Sequence, residues 1–332
     1  MHHCEIKELQ LRDPFGIARG TRTSVKNLFV KFGDGWGEGA PIYYKGQDVE
    51  YMLKLAQAFL PSVENTITPE NAAQLVLKQF PKESALAEAV DLAAHDAWAK
   101  VIGKPLYQIW NINPAKTPVS TFTIGLDTIE VILEKLNRVR DWPVLKIKLG
   151  SERDLEILSA IRKEYSGTLF IDANEGWGAE QAGEFMPKLD ELGVRLVEQP
   201  IHRDDLDGYA KLSELNQTDI PIFVDEGVQG PEDIARWIGV VDGINIKLAK
   251  CGGLARARKM IEIARQNGMG ILLGCMIESS LAISAAAQIA PLVDFVDLDG
   301  AALLSGDPFE GMRLDKGVMT LSQHNGLGAV ER

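Results

Sequence analysis

The 332-residue chain is poor in the side chains that build soft metal centres and cross-links, with three cysteines, Cys4, Cys251 and Cys275, and five histidines. An odd cysteine count without C-x-x-C spacing supports neither a disulfide framework nor a thiolate zinc site, so all three read as free thiols. Runs of lysine or arginine are also missing. A formal net charge of −12 then leaves no basic patch for nucleic acid or an anionic membrane surface. No apolar run approaches the length of a bilayer span, and the opening MHHCEIKEL lacks the basic-then-apolar order of a secretory signal. The expectation is a soluble, cytoplasmic protein with neither a nucleic-acid nor a membrane partner. His2 and His3 read as an exposed terminus rather than a metal site.

What is there is ordinary for a globular chain, 45% hydrophobic and 25% charged residues, and long enough for one large barrel plus a smaller domain. From Val119 onward a short β-branched or apolar run followed by a charged amphipathic stretch recurs, which is the pattern of βα units around a parallel sheet. Candidate strands begin at Val119, Val144, Leu169, Leu196, Ile222, Gly243, Gly270 and Phe295. Their even spacing favours a closed barrel over a doubly wound sheet. Helix starts are expected after Gly150-Ser151, at Asp204-Asp205 and at Pro231-Glu232-Asp233, with stops at Gly167, Gly193 and Gly268. The first 115 residues differ: strands around EIKELQLR and SVKNLFVKFGDG, then helices from Asp48 to Val101. The expected fold is α/β, a (β/α)7β TIM-like barrel over residues 116–305 with an α+β capping domain from residues 1–115, completed by about residues 306–332.

Chemistry in such barrels sits at the C-terminal ends of the strands. Those ends carry Lys146 and Lys148, Asp172 and Asn174, Glu198, Asp225 and Glu226, Lys247, and Asp297 and Asp299. Residues two apart on a strand share a face, so Lys146 points with Lys148 and Asp297 with Asp299. Buried without partners each charge costs several kcal/mol, so a metal, a substrate or their neighbours must compensate them. Asp172, Glu198 and Asp225, from consecutive strands and without histidine, suit octahedral Mg²⁺, with Mn²⁺ acceptable to the same ligands. Lys148 and Lys247 stand on roughly opposite sides of the ring and bracket a substrate with an acid and a base. A carbon acid beside a carboxylate reaches its enediolate only when a cation offsets the developing charge. Positive charge from a metal and from Lys146 is expected to bring Lys148 toward neutrality, while Lys146 itself acts electrostatically.

The runs K-I-K, D-A-N-E, E-Q-P, D-E-G and N-I-K-L-A-K-C-G-G, in order at these strand ends, resemble the enolase superfamily, specifically its muconate-lactonizing-enzyme subgroup. The mandelate-racemase branch, with a His-Asp pair in place of the strand-six lysine, fits less well. Within the subgroup D-L-D-G and the N-terminal P-F-G-I-A-R-G-T-R resemble the dipeptide epimerases, of which L-Ala-D/L-Glu epimerase is the best-known activity. The resemblance implies an isomerase that moves the α-proton of a dipeptide's C-terminal residue between Lys148 and Lys247. A metal at Asp172, Glu198 and Asp225 would hold that residue's carboxylate, with Asn174 and Glu226 supporting it. Asp297 and Asp299 would hold the substrate ammonium. A cap arginine, Arg19 or Arg22, would meet a glutamate side chain, and Met276 and Glu278 are candidates to line the pocket; an acid at 278 would favour a cationic side chain instead. The resemblance also implies a homo-oligomer. Alternatives are an o-succinylbenzoate synthase or N-acylamino acid racemase on the same scaffold, or a Schiff-base aldolase. Elsewhere, Gly252-Gly253 reads as a tight turn or a phosphate site, Trp177 as a stacking or packing residue, and His95 as a core histidine.

Overall fold

The computed structural model describes residues 2–17, 20–63 and 67–332. Its first three strands, β1 (His2–Ile17), β2 (Gly20–Phe32) and β3 (Gly35–Gly39), form an antiparallel sheet in that order. The expected strand at EIKELQLR lies inside β1, and the one at SVKNLFVKFGDG matches β2 as far as Phe32, its last three residues forming the turn and the start of β3. β2 is central and is buried on both faces from Asn27 to Val30, which explains its continuous rather than alternating apolar run. β3 reads GWGEG, and its period of two sends Gly35, Gly37 and Gly39 to one face and Trp36 and Glu38 to the other.

Three helices follow, α1 (Val49–Val63), α2 (Ala72–Gln79) and α3 (Ser84–Ile102). α3 carries Ala85, Ala89, Ala93 and Ala97 at intervals of four, hence on one stripe. That stripe lies directly on the β3 glycines: a Cβ on Gly37 would sit 1.9 Å from the Ala89 carbonyl oxygen, and one on Gly39 2.0 Å from that of Ala85. Sheet and helix therefore meet backbone to backbone, which only glycine against alanine allows.

Eight parallel strands follow: β4 (Phe122–Ile124), β5 (Val144–Lys148), β6 (Thr168–Asp172), β7 (Val194–Glu198), β8 (Ile222–Val224), β9 (Gly243–Lys247), β10 (Gly270–Gly274) and β11 (Phe295–Asp297). They pair in sequence order. A parallel bridge between Ser120 and Val296 and the Thr121 N–H donated to Val296 O at 3.0 Å close the ring. The expected starts hold in part. Asp205 caps Leu206–Leu215 by accepting from Gly208 N, whereas the segment from Pro231 is a seven-residue 3₁₀ helix ending at Trp237. Asp233 accepts from Gln229 N and Gly230 N, and the Trp237 indole donates back to Gly227 O. These contacts fold the span on itself before α geometry can propagate.

The chain end returns to the first sheet. Phe309 stacks on Phe29 at 5.8 Å and meets Trp36 edge-on, Ser305 N donates to Gln10 O, and Lys7 reaches Glu331 at 3.3 Å. Among the described residues no helix is long and apolar enough to cross a membrane.

Candidate active site

The barrel interior is built in layers that the strand period dictates. Phe170, Leu196, Phe223 and Leu272 form an apolar floor, with Val144 and Phe295 against it. Two residues further along the same strands, on the same inward face, stand Asp172, Glu198, Asp225, Gly274, Lys146 and Asp297. The switch from apolar to charged thus comes in one step around the ring. Gly274 belongs to this layer because a Cβ there would meet the Asn245 amide at 2.7 Å and the Lys247 side chain at 3.1 Å. Its missing side chain is the space through which Lys247 reaches the centre.

One ligand atom from each of Asp172, Glu198 and Asp225 lies within 4.8 Å of the others, and all three residues are buried. Each carboxylate has one oxygen anchored by a fixed donor. Asp172 Oδ1 accepts from Asn174 N at 2.9 Å, Glu198 Oε1 from Asn245 Nδ2 at 2.8 Å, and Asp225 Oδ1 from Lys250 Nζ at 2.5 Å. The other oxygens face lysines: Asp172 Oδ2 has Lys148 at 2.6 Å, Asp225 Oδ2 has Lys247 at 2.7 Å, and Glu198 Oε2 has Lys146 at 2.7 Å. The last approach is misdirected, and Glu198 Oε2 receives no hydrogen bond. A buried carboxylate oxygen without a donor, beside two more hard oxygens, fits a small divalent cation.

Lys146 is shared, lying 2.8 Å from Asp297 Oδ2 and 3.4 Å from Asp172 Oδ2 as well. Burial alone would lower its pKa, but Asp297, Glu198 and Asp172 outweigh that and hold it well above the ordinary value. Lys247 is likewise raised, burial being overcome by Asp225. Asp172 falls to about 2 because Lys148 and Lys146 outweigh its burial, and Asp225 is held well below the ordinary carboxylate value, its burial outweighed by Lys247 and Lys250. Glu198 behaves oppositely: burial dominates and lifts it to about 7. Glu198 is thus the triad member whose burial outweighs its neighbouring ammonium, and the one with a carboxylate oxygen that accepts no hydrogen bond.

Across the ring Asp297 Oδ1 accepts from the Thr121 and Thr123 hydroxyls at 2.5 and 3.2 Å. Asp299, two residues beyond β11, accepts from Thr123 N at 2.6 Å. Burial and the neighbouring Asp297 push Asp299 up to about 7, whereas Asp297 is lowered by Lys146 despite its burial. A cavity of about 480 Å³ connects these groups, bordered by Lys148, Asn174, Lys247, Asp297 and Asp299 below and by Phe15, Ile17, Gly20 and Thr21 of the first sheet above. Asp225, Glu226, Met276 and Arg22 also border it. The Arg22 guanidinium lies 4.0 Å over the Tyr43 ring. Arg19 lies outside the described residues.

Glu278 does not line that cavity. Its carboxylate accepts from Met276 N at 3.1 Å and turns under the cap toward Glu88 and Glu38, because the turn after β10 is tied by Ser279 to Glu38 of β3. The case for a cationic side chain thereby loses its acid. Trp177 is a packing residue, its indole donating to buried Asp154 at 2.8 Å. His95 is buried beside Asp91. A phosphate at Gly252-Gly253 loses its donor, since Leu254 N donates to Asp91 Oδ2 at 2.7 Å.

Sequence reasoning assigned no role to Asn245, Gln199, Thr121, Thr123 or Lys250. Gln199, with φ +41, accepts from Asp225 N at 2.7 Å and pins the third carboxylate's backbone. Asn245 was findable, since it lies two residues before Lys247 and so shares its inward face.

A closed parallel barrel with an acidic triad, two opposed lysines and a roof of N-terminal strands defines a class of barrel enzymes that act on a substrate held between cap and strand ends. The chain belongs to the enolase C-terminal domain-like family, whose family model matches residues 132–330. It is 38% identical over 331 residues to an L-Ala-D/L-Glu epimerase of Bacteroides thetaiotaomicron, covering 98% of this chain and 86% of that one. It is 37% identical to an L-Ala-D/L-amino acid epimerase of Maribacter, covering 92% and 91%. Among solved structures, a dipeptide epimerase from Enterococcus faecalis complexed with Mg and L-Leu-L-Tyr superposes with a TM-score of 0.92 at 28% identity, covering 99% of this chain and 98% of that one.

Proposed function

We propose that the chain is a dipeptide epimerase that inverts the α-carbon of the C-terminal residue of an L-Ala-L-Xaa type dipeptide by 1,1-proton transfer. The observation that carries this reading is the placement of Lys148 on β5 and Lys247 on β9, four strands apart in an eight-stranded ring, around one cavity whose far wall is Asp297 and Asp299. Relatives spanning nearly the whole chain carry the same activity in their names.

In this reading Lys148 Nζ takes the α-proton from one face, and Lys247 Nζ delivers a proton to the other; the reverse pairing serves the opposite isomer. Lys146 stays charged and supplies a fixed positive field. Mg²⁺, or Mn²⁺, held by Asp172, Glu198 and Asp225, would offset the charge that a carboxylate gains when its neighbouring carbon loses a proton. Asn174 and Glu226 stand beside that set, 3.5 Å apart, and would steady it. Asp297 and Asp299 receive the ammonium, a requirement that o-succinylbenzoate synthases do not have. Arg22 offers the cap's cation to an anionic side chain. Residues 1–115, with about 306–332, are taken as the cap and 116–305 as the catalytic barrel.

The test is proton NMR in D₂O with Mg²⁺ and a pooled library of L,L-dipeptides. Loss of the α-proton signal confined to C-terminal residues supports the reading and names the side chain. Absence of exchange with every dipeptide, alongside turnover of an N-succinylamino acid, moves the assignment to the racemase alternative.

A further inference from the structure

Lys250 is 2% exposed and borders none of the substrate cavity. Its ammonium is nevertheless enclosed by four oxygens: Asp225 Oδ1 and Asp225 O at 2.5 Å, Asn245 O at 2.9 Å and Val228 O at 3.0 Å. Lys247 differs: it borders the cavity and its ammonium donates to Asp225 Oδ2 at 2.7 Å. One carboxylate therefore meets two lysines in unequal surroundings, one caged by backbone carbonyls and one at the cavity wall. With Gln199 holding Asp225 N, the residue is pinned at its amide, its carbonyl and one carboxylate oxygen. Two of these restraints hold the backbone, and the one on the carboxylate comes from Lys250.

We infer that Lys250 is a positioning residue for the metal centre: it dedicates Asp225 Oδ1 to a fixed clamp and so presents Oδ2 alone, in one orientation, to the metal and to Lys247. Asn174 N on Asp172 and Asn245 on Glu198 hold the other two carboxylates in the same manner, but by neutral donors. Lys250 is the charged member, and this makes its role separable. Taking a cation away from an anionic site strengthens dication binding if charge is all that matters, whereas loss of an orienting partner weakens it, by about 10- to 100-fold for groups behind metal ligands.

The inference rests on the proposed metal-holding role of Asp225, and its test reads binding rather than turnover. Mg²⁺ is titrated calorimetrically into metal-free full-length wild type, Lys250→Met and Lys250→Gln, with circular dichroism to establish folding. A Kd raised about 10- to 100-fold in folded variants supports the clamp. An unchanged Kd makes Lys250 a structural filler, and a lowered Kd makes it a counter-charge; either overturns the inference. Wild type that binds no Mg²⁺ overturns the metal reading itself, and the clamp with it. Should both variants fail to fold, a crystal structure of the Mg²⁺-loaded wild type decides: Lys250 Nζ still bonded to Asp225 Oδ1 supports the clamp, and Lys250 turned away from it overturns it.

Discussion

Replacing Lys247 by alanine removes a group that shares its cavity with one opposed lysine, so proton transfer on one face loses its acid or base. The expected fall in kcat is about 10²- to 10⁴-fold, measured by α-proton exchange in D₂O, with Lys148→Ala giving a fall of similar size. A variant retaining near wild-type exchange would remove that lysine from the mechanism. At the other end of the cavity Asp299, the proposed ammonium acceptor, is raised by burial and by Asp297. Asp299→Asn is expected to raise KM for free dipeptides by about 10- to 100-fold, the range of a hydrogen bond to a charged group, and to narrow their advantage over N-acetyl dipeptides. Equal KM values for both substrate types in the wild type would argue against the ammonium socket. The lysines and aspartates were legible because strand parity fixes the face of each. Their partners were not: Lys146 meets Asp297 across 151 residues, a pairing that exists only once the ring has closed.

At the scale of elements, the glycine face of β3 and the alanine stripe of α3 predict that Gly37→Ala is strongly destabilising. The new Cβ would overlap a carbonyl oxygen at 1.9 Å, and overpacking of this kind costs about 1–3 kcal/mol or more. Urea denaturation of the purified variant checks it, and a midpoint equal to wild type would mean that the sheet and helix can part without loss. A second element contact joins the turn after β10 to the cap. Burial, then the Glu38 carboxylate, pushes Glu278 up to about 8, well above a glutamate in the unfolded chain, at about 4.3. An acid raised on folding binds its proton more tightly when folded. Its contribution is complete below the unfolded value and is lost as pH rises through 8. Stability of wild type should therefore fall between pH 5 and pH 9 by more than that of Glu278→Gln; parallel pH profiles from chemical denaturation would rule this out. The strand and helix order was readable from periodicity. The 3₁₀ segment at Pro231–Trp237 was not, because its helix-like apolar spacing is overridden by back-folding onto Gly227.

Across the whole molecule, one site draws on strands distributed from β4 to β11, so metal binding should report on the folded barrel. Mg²⁺ at 100 times its Kd is expected to stabilise the protein by about 2.7 kcal/mol, with thermal midpoints rising with concentration and returning on EDTA. A midpoint indifferent to Mg²⁺ while exchange remains EDTA-sensitive would separate catalysis from stability. By itself the sequence determined the barrel, its strand order, the inward residues and the chemistry they suit, because a period of two and the end of a strand are local properties. Only the tertiary structure decided which carboxylate oxygens are anchored, that Glu278 leaves the substrate cavity for the cap, and that Lys250 stands behind Asp225. Those outcomes depend on distances between residues tens to hundreds of positions apart, and burial sets their energies.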